Sequence, residues 1–221
     1  MARPREFDEA AVLDAAVHCF WSRGYEATSV RDLIESTGLT GASIYNAFGD
    51  KRAFYRRALA HYVQESIADR IRRCEGMAPR AAIDAFFAEI LKRSLSDKDH
   101  KGCMLVNAAL EVAPQDTEFK EDVAGVLNQL QSFFLGCVAA GQADGTITTA
   151  LTADELARHL LGVLMGVRVL ARVRPERGAR GRHQRRFRPS RWRRGSSGIG
   201  RHNRSLASPL QETPAEAVTR R

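Results

Sequence analysis

The sequence predicts an all-α protein, on three observations. Apolar residues recur at the i, i+3, i+4 spacing of a helix through most of the first 173 residues. No stretch alternates convincingly at period two. Helix boundaries are also written locally, with Ser, Thr or Asp before the apolar stripes and Gly or Pro after them. At 221 residues the chain has room for one large domain or two small ones, each with a real core.

The elements follow in order. Val12, Ala15, Ala16, Cys19 and Phe20 form a first stripe that runs into Arg23-Gly24-Tyr25. Ser29 followed by Asp32 is a capping-box-like start, and Val30, Leu33 and Ile34 share one face of the helix it opens. Gly38 stands where that helix ends and the backbone needs positive φ. Thr40 opens a second short helix, with Ile44 and Phe48 as its apolar stripe, and Asp50 caps the next. Pro79 suits a first turn, ahead of Ile83, Phe86, Phe87, Ile90 and Leu91. Leu105, Ala108, Ala109 and Val112 make a shorter stripe that Pro114 stops. Phe119, Val123, Leu127, Leu130, Phe134 and Cys137 form a long one between Asp116 and the glycines at 141 and 145. Thr152 and Glu155 form a capping box for a helix through Leu156, Leu160, Val163, Leu164 and Val167.

Residues 29–48 therefore read as a helix-turn-helix. In its second helix Ile44 and Phe48 face inward, leaving Gly41, Ala42, Ser43, Tyr45 and Asn46 largely outward. Small and hydrogen-bonding residues on an outer face let a helix enter a DNA major groove and touch base edges. The same shape also occurs in proteins that never touch DNA, so the surroundings have to decide.

Those surroundings are specific. Ala15-Ala16, Phe20, Gly24-Tyr25, Thr28-Ser29-Val30-Arg31-Asp32-Leu33, Gly38-Leu39-Thr40, Ser43-Ile44-Tyr45, Phe48 and Lys51 lie in register over some fifty positions. The run from Ala11 to Leu59 resembles the DNA-binding domain of TetR/AcrR-type transcriptional regulators. Gly49 departs from the proline common there, and Asn46-Ala47 departs from a frequent histidine pair, which changes what the groove-facing surface reads. The resemblance implies a DNA-facing set of Thr28, Ser29, Arg31, Thr40, Gly41, Ala42, Ser43, Tyr45, Asn46 and Lys51. Thr28 and Lys51 are expected at phosphates and Asn46 at adenine. Tyr45 faces either the groove or the core. Arg52 offers a further phosphate contact, with a solvated surface as the plainer reading, and Arg3 and Arg5 suggest a basic arm near the minor groove.

The second half is more weakly similar to the effector-binding and dimerisation domain of the same regulators, with Gly102-Cys103-Met104-Leu105-Val106-Asn107, Glu111 and Pro114 carrying the likeness. In that family the helices surround a small-molecule cavity, and the last two pair across a two-fold axis. Gly162 and Gly166 put small residues on one face of the helix at 152–173, as a pairing seam or as tight internal packing. The expected organisation is a DNA-binding domain at 6–66, an effector-binding and dimerisation domain at 78–175, and an Arg-rich tail at 176–221.

The net charge of +8 belongs to that tail. Residues 1–75 are neutral overall and residues 76–173 carry −3, whereas residues 174–221 carry +11, with fourteen arginines and no lysine. Such a run is expected to be disordered. Three readings compete for it: a phosphate-gripping arm, a solvated tail, or an out-of-frame end in a GC-rich coding sequence. The resemblance favours the last, because a further apolar helix should follow Pro175, and its absence would impair the expected homodimer.

Other chemistries find little support. Cys19, Cys74, Cys103 and Cys137 lie far apart, as reduced thiols in a cytoplasmic protein do, and no apolar run is expected to be long enough to span a bilayer. No nucleophile or metal-ligand pattern is present, so neither an enzyme nor a cofactor is expected. His100 and Cys103 have metal-ligand spacing without a partner pair. Cys103, following Lys98, His100 and Lys101 at a helix start, is a candidate thiol sensor, with a small residue filling a helix start as the plainer reading. The expected partners are a double-stranded DNA operator, an unknown small-molecule effector and a second copy of the chain, with no membrane. A non-specific nucleic-acid binder driven by the arginine tail is the alternative.

Overall fold

The computed structural model describes residues 7–173. Every regular element among them is helical. In order they are α1 (Glu9–Arg23), α2 (Val30–Thr37), α3 (Gly41–Phe48), α4 (Lys51–Tyr62), a π-helical turn (Val63–Ala68), α5 (Asp69–Cys74), α6 (Pro79–Ser96), α7 (Met104–Glu111), α8 (Thr117–Ala143) and α9 (Ala153–Val173). The Arg3 and Arg5 arm and the tail at 176–221 lie outside the described residues.

Local chemistry sets most boundaries. Asp8 caps α1 by accepting the N–H groups of Ala10 and Ala11. Ser29 and Asp32 close a complete capping box on α2, and Gly38 ends that helix in the left-handed region at φ +71°. Thr40 and Asp50 cap α3 and α4 through the N–H groups of Ser43 and Ala53. Thr152 and Glu155 form the box expected for α9. The π-helical turn, where α4 runs into α5 without a break, is not foreseen by any stripe.

Two aromatic groups organise the core. In the first, Phe20 of α1 meets Tyr55 of α4 at 4.8 Å, and Phe48 of α3 stacks on Phe54 at 4.0 Å. Fully burying a Phe or Ile side chain contributes roughly 1.5–3 kcal/mol through area removed from water, so Phe48 in this group and the buried Ile44 together anchor α3. In the second, Phe86 of α6 lies 5.3 Å from both Phe133 and Phe134 of α8. Tyr55 joins the halves by packing 5.3 Å from Phe119 at the start of α8.

One expectation is corrected. α8 is 27 residues long and contains an 18-residue stretch of mean hydropathy 1.4, enough by length and composition to cross a membrane. Its inward residues Phe119, Val123, Leu130, Phe134 and Val138 are buried, and the helix packs on α6 and α9. One stripe of α8 therefore faces the helical core, while 22% of the apolar stretch as a whole is buried.

Candidate nucleic-acid interface

The helix-turn-helix forms as its caps dictate. Leu33 of α2 and Ile44 and Phe48 of α3 are buried. On the opposite face of α3, Ala42, Tyr45 and Asn46 are exposed, Tyr45 by 54%. That resolves the two readings of Tyr45 in favour of the outer surface. Asn46 makes no hydrogen bond to other described residues, so its amide keeps both a donor and an acceptor to offer. Ser43 is half-buried; its N–H donates to Thr40 Oγ1 at 3.2 Å, and the two hydroxyls lie 2.9 Å apart. Gly41 sits close to α2, since a Cβ there would lie 3.4 Å from Ile34 Cδ1.

The flanking residues divide. Ser29 is exposed, with its hydroxyl engaged by Asp32 at 2.7 Å. Arg31 is exposed and pairs with Glu35 at 3.0 Å, one turn along α2. Lys51, on the first turn of α4, donates to the Glu26 carbonyl at 3.3 Å and lies 4.5 Å from the centre of the Tyr25 ring. Its ammonium is thereby held against the turn before α2.

Two expected phosphate contacts are corrected. Thr28 is fully buried, and its hydroxyl donates to the Gly24 carbonyl at 2.6 Å. It shapes the turn before α2 and has no free face for a phosphate. Arg52 points the other way: Nε and Nη2 grip Asp116 at 2.5 and 2.8 Å, and Nη2 also reaches Glu118 at 2.6 Å. Arg56 does the same with Asp122, at 2.5 and 3.0 Å. These pairs brace α4 against α8. The bonds from Arg52 hold the Asp116 carboxyl well below the usual carboxylate range, at about 2. Sequence spacing hid them, because the partners lie 64 to 66 residues apart.

Cys103 does open a helix, as the N-cap of α7, but it is buried, and Tyr62 Oη donates to its sulfur at 3.5 Å. A thiol sensor needs solvent access that this position lacks. Among the described residues no group of three His, Cys, Asp or Glu is placed to hold a metal ion.

Residues 12–58 match the model for bacterial regulatory proteins of the tetR family, and residues 79–187 match that for a tetracyclin repressor-like C-terminal domain. The chain is 31% identical over 180 residues to the HTH-type transcriptional repressor ComR of Escherichia coli (strain K12), covering 77% of this chain and 82% of that one.

The chain belongs to the TetR family.

It is also 30% identical to the HTH-type transcriptional regulator YezE of Bacillus subtilis (strain 168), across 78% of this chain and 90% of YezE. Among solved structures, a cysteine-substituted form of the TetR family regulator CifR, complexed with 26-base-pair double-strand operator DNA, superposes with a TM-score of 0.68. It is 32% identical, covering 78% of this chain and 91% of that one. Membership makes this protein a DNA-binding transcriptional regulator of a TetR kind and places it in a family of regulators rather than enzymes.

Proposed function

We propose that this TetR-family protein is a repressor that binds a palindromic operator as a homodimer and is released by a small molecule. The observation that carries the reading is the outer face of α3, where Tyr45 and Asn46 stand exposed opposite the buried Ile44 and Phe48. A helix anchored on one side and free on the other is what major-groove entry requires. In this reading Thr40, Ala42, Ser43, Tyr45 and Asn46 face base edges, and Gly41 lets α3 approach closely. Ser29, Arg31 and Lys51 face the phosphates.

The second copy would sit on α9. Its outer face exposes Val163 and Leu170, and Cβ atoms added at Gly162 and Gly166 would meet nothing within 4 Å. An open apolar strip with small residues suits close approach of an identical helix. Two reading heads related by the two-fold would then meet successive major grooves about 34 Å apart.

Release follows from differential affinity. An effector that prefers the conformation in which the heads are wrongly spaced lowers DNA affinity without touching DNA. The Arg52–Asp116 and Arg56–Asp122 pairs give that shift a stiff path from the second half to α4. The regulator acts on DNA in the cytoplasm. Selection from a random duplex pool with the full chain tests the reading: enrichment of an inverted repeat is expected, and uniform retention of all duplexes would favour non-specific binding.

A further inference from the structure

Arg168 on α9 is a buried cation with no buried anion beside it. Only 7% of it is exposed. Nη1 donates to Ser94 Oγ at 3.0 Å and Nη2 to the Gly102 carbonyl at 2.6 Å, both neutral acceptors, while Nε is buried and unpartnered. Cys103 and Tyr62 also lie against the guanidinium and favour its charged form, and neither is a carboxylate. Arg70 of α5 is nearly in the same position. It is 4% exposed, its Nε lies 3.2 Å from Glu89 Oε1 without forming a hydrogen bond, and Glu89 also serves Arg73 and Arg93. Guanidinium groups taken out of water are costly unless an anion compensates them.

Both arginines line two spaces that have Tyr62 as a further common wall. The outer cleft, of about 250 Å³, also presents Arg93 and Lys101. Lys101 pairs with Asp99 at 3.2 Å, Arg93 and Arg70 share Glu89, and Asp97, the carboxylate in the lining, already accepts the N–H groups of Asp99 and Lys101, which leaves Arg168 as the cation of this cleft with no carboxylate partner among the described residues. The inner hollow, of about 20 Å³, is walled by apolar side chains that include Phe86, Ile90, Leu130 and Leu164. Positive charge at the neck and hydrocarbon behind it select for an anion that carries a short apolar tail.

We propose that this cleft binds a small organic carboxylate, its head on Arg168 Nε and its tail toward the inner hollow, and that this molecule is the effector. The proposal rests on the ligand-responsive reading above and names the ligand class for it. The site also touches the elements that frame the reading head. Trp21 of α1 lines the cleft and donates its Nε1–H to the Lys101 carbonyl at 3.2 Å. Tyr62 is the last residue of α4, and the π-helical turn lies between it and Arg70. A carboxylate drawn in between Arg70 and Arg168, beside Tyr62, would therefore bear on the π-helical turn through Arg70 just after it.

The test uses the full chain carrying Trp192→Phe, which leaves Trp21 as its only tryptophan, with no DNA present. Straight-chain carboxylates from acetate to hexanoate, butyramide and inorganic phosphate are titrated at matched ionic strength, read by Trp21 emission and thermal midpoint. At least one carboxylate should move both signals, with butyramide and phosphate at least tenfold weaker. Arg168→Met should abolish the response in a chain that still unfolds cooperatively. Arg168→Lys, which keeps charge but loses the guanidinium fork, should stay folded and bind at least fivefold more weakly. The proposal is overturned if phosphate or butyramide matches the carboxylates, if folded Arg168→Met responds like the parent, or if no carboxylate moves either signal. Those results would leave DNA reading untouched; a carboxylate response in a chain that selects no duplex would leave the binding site standing and overturn both its effector role and the regulator reading.

Discussion

Glu111, the last residue of α7, accepts the backbone N–H of Glu26 at 2.9 Å across 85 residues of chain. Its carboxylate also lies 3.1 Å from where a Cβ on Gly24 would stand, and Gly24 itself sits at φ +89°. The turn that launches α2 is thus seated on the second half of the molecule, and a side chain at 24 would meet both strain and a carboxylate.

Glu111→Ala should therefore loosen this turn. It leaves the Glu26 N–H without its partner, and losing a hydrogen bond to a charged group costs about 1.5–3 kcal/mol. Urea denaturation should show a lower midpoint with unchanged slope. An unaltered midpoint would mean that the contact adds nothing to stability.

The Arg52–Asp116 pair makes stability depend on acid. Asp116 titrates at about 2 in the folded chain against 3.8 for an ordinary aspartate. Its folded value is the lower one, so the stabilisation is fully present above about pH 4 and drains away as pH falls through 2. Asp116→Asn should flatten the fall in thermal midpoint between pH 4 and 2 relative to the parent. A parallel fall in both proteins would contradict the brace.

Thr28 and Lys51 separate in salt. Thr28→Val keeps the shape and removes a hydroxyl that is internally engaged, so DNA affinity should keep its dependence on salt. Lys51→Ala should reduce the slope of log affinity against log salt by about 0.9, one phosphate's worth. A reduced slope for Thr28→Val would restore it to the DNA surface.

The reading head was legible because its signals are local. Ser29, Gly38, Thr40 and Asp50 act within a few residues, and Ile44 and Phe48 mark the inner face of α3 by spacing alone. Thr28 misled because its burial is imposed by the turn closing on Gly24, which no pattern in sequence records. Arg52 misled for the same reason on a larger scale, since its carboxylates arrive from α8. Arg168 did leave a trace: it falls eleven residues after Ala157 and four after Leu164, on the buried side of α9. An arginine on an apolar stripe is the signal that could have found the cleft.

The central claim is that the exposed face of α3 reads bases. Site selection repeated with Asn46→Ala tests it most directly. The account predicts the same inverted repeat with relaxed preference at one base position in each half-site, worth about 1–3 kcal/mol of discrimination. An identical base preference at every position, in parent and variant alike, would contradict it.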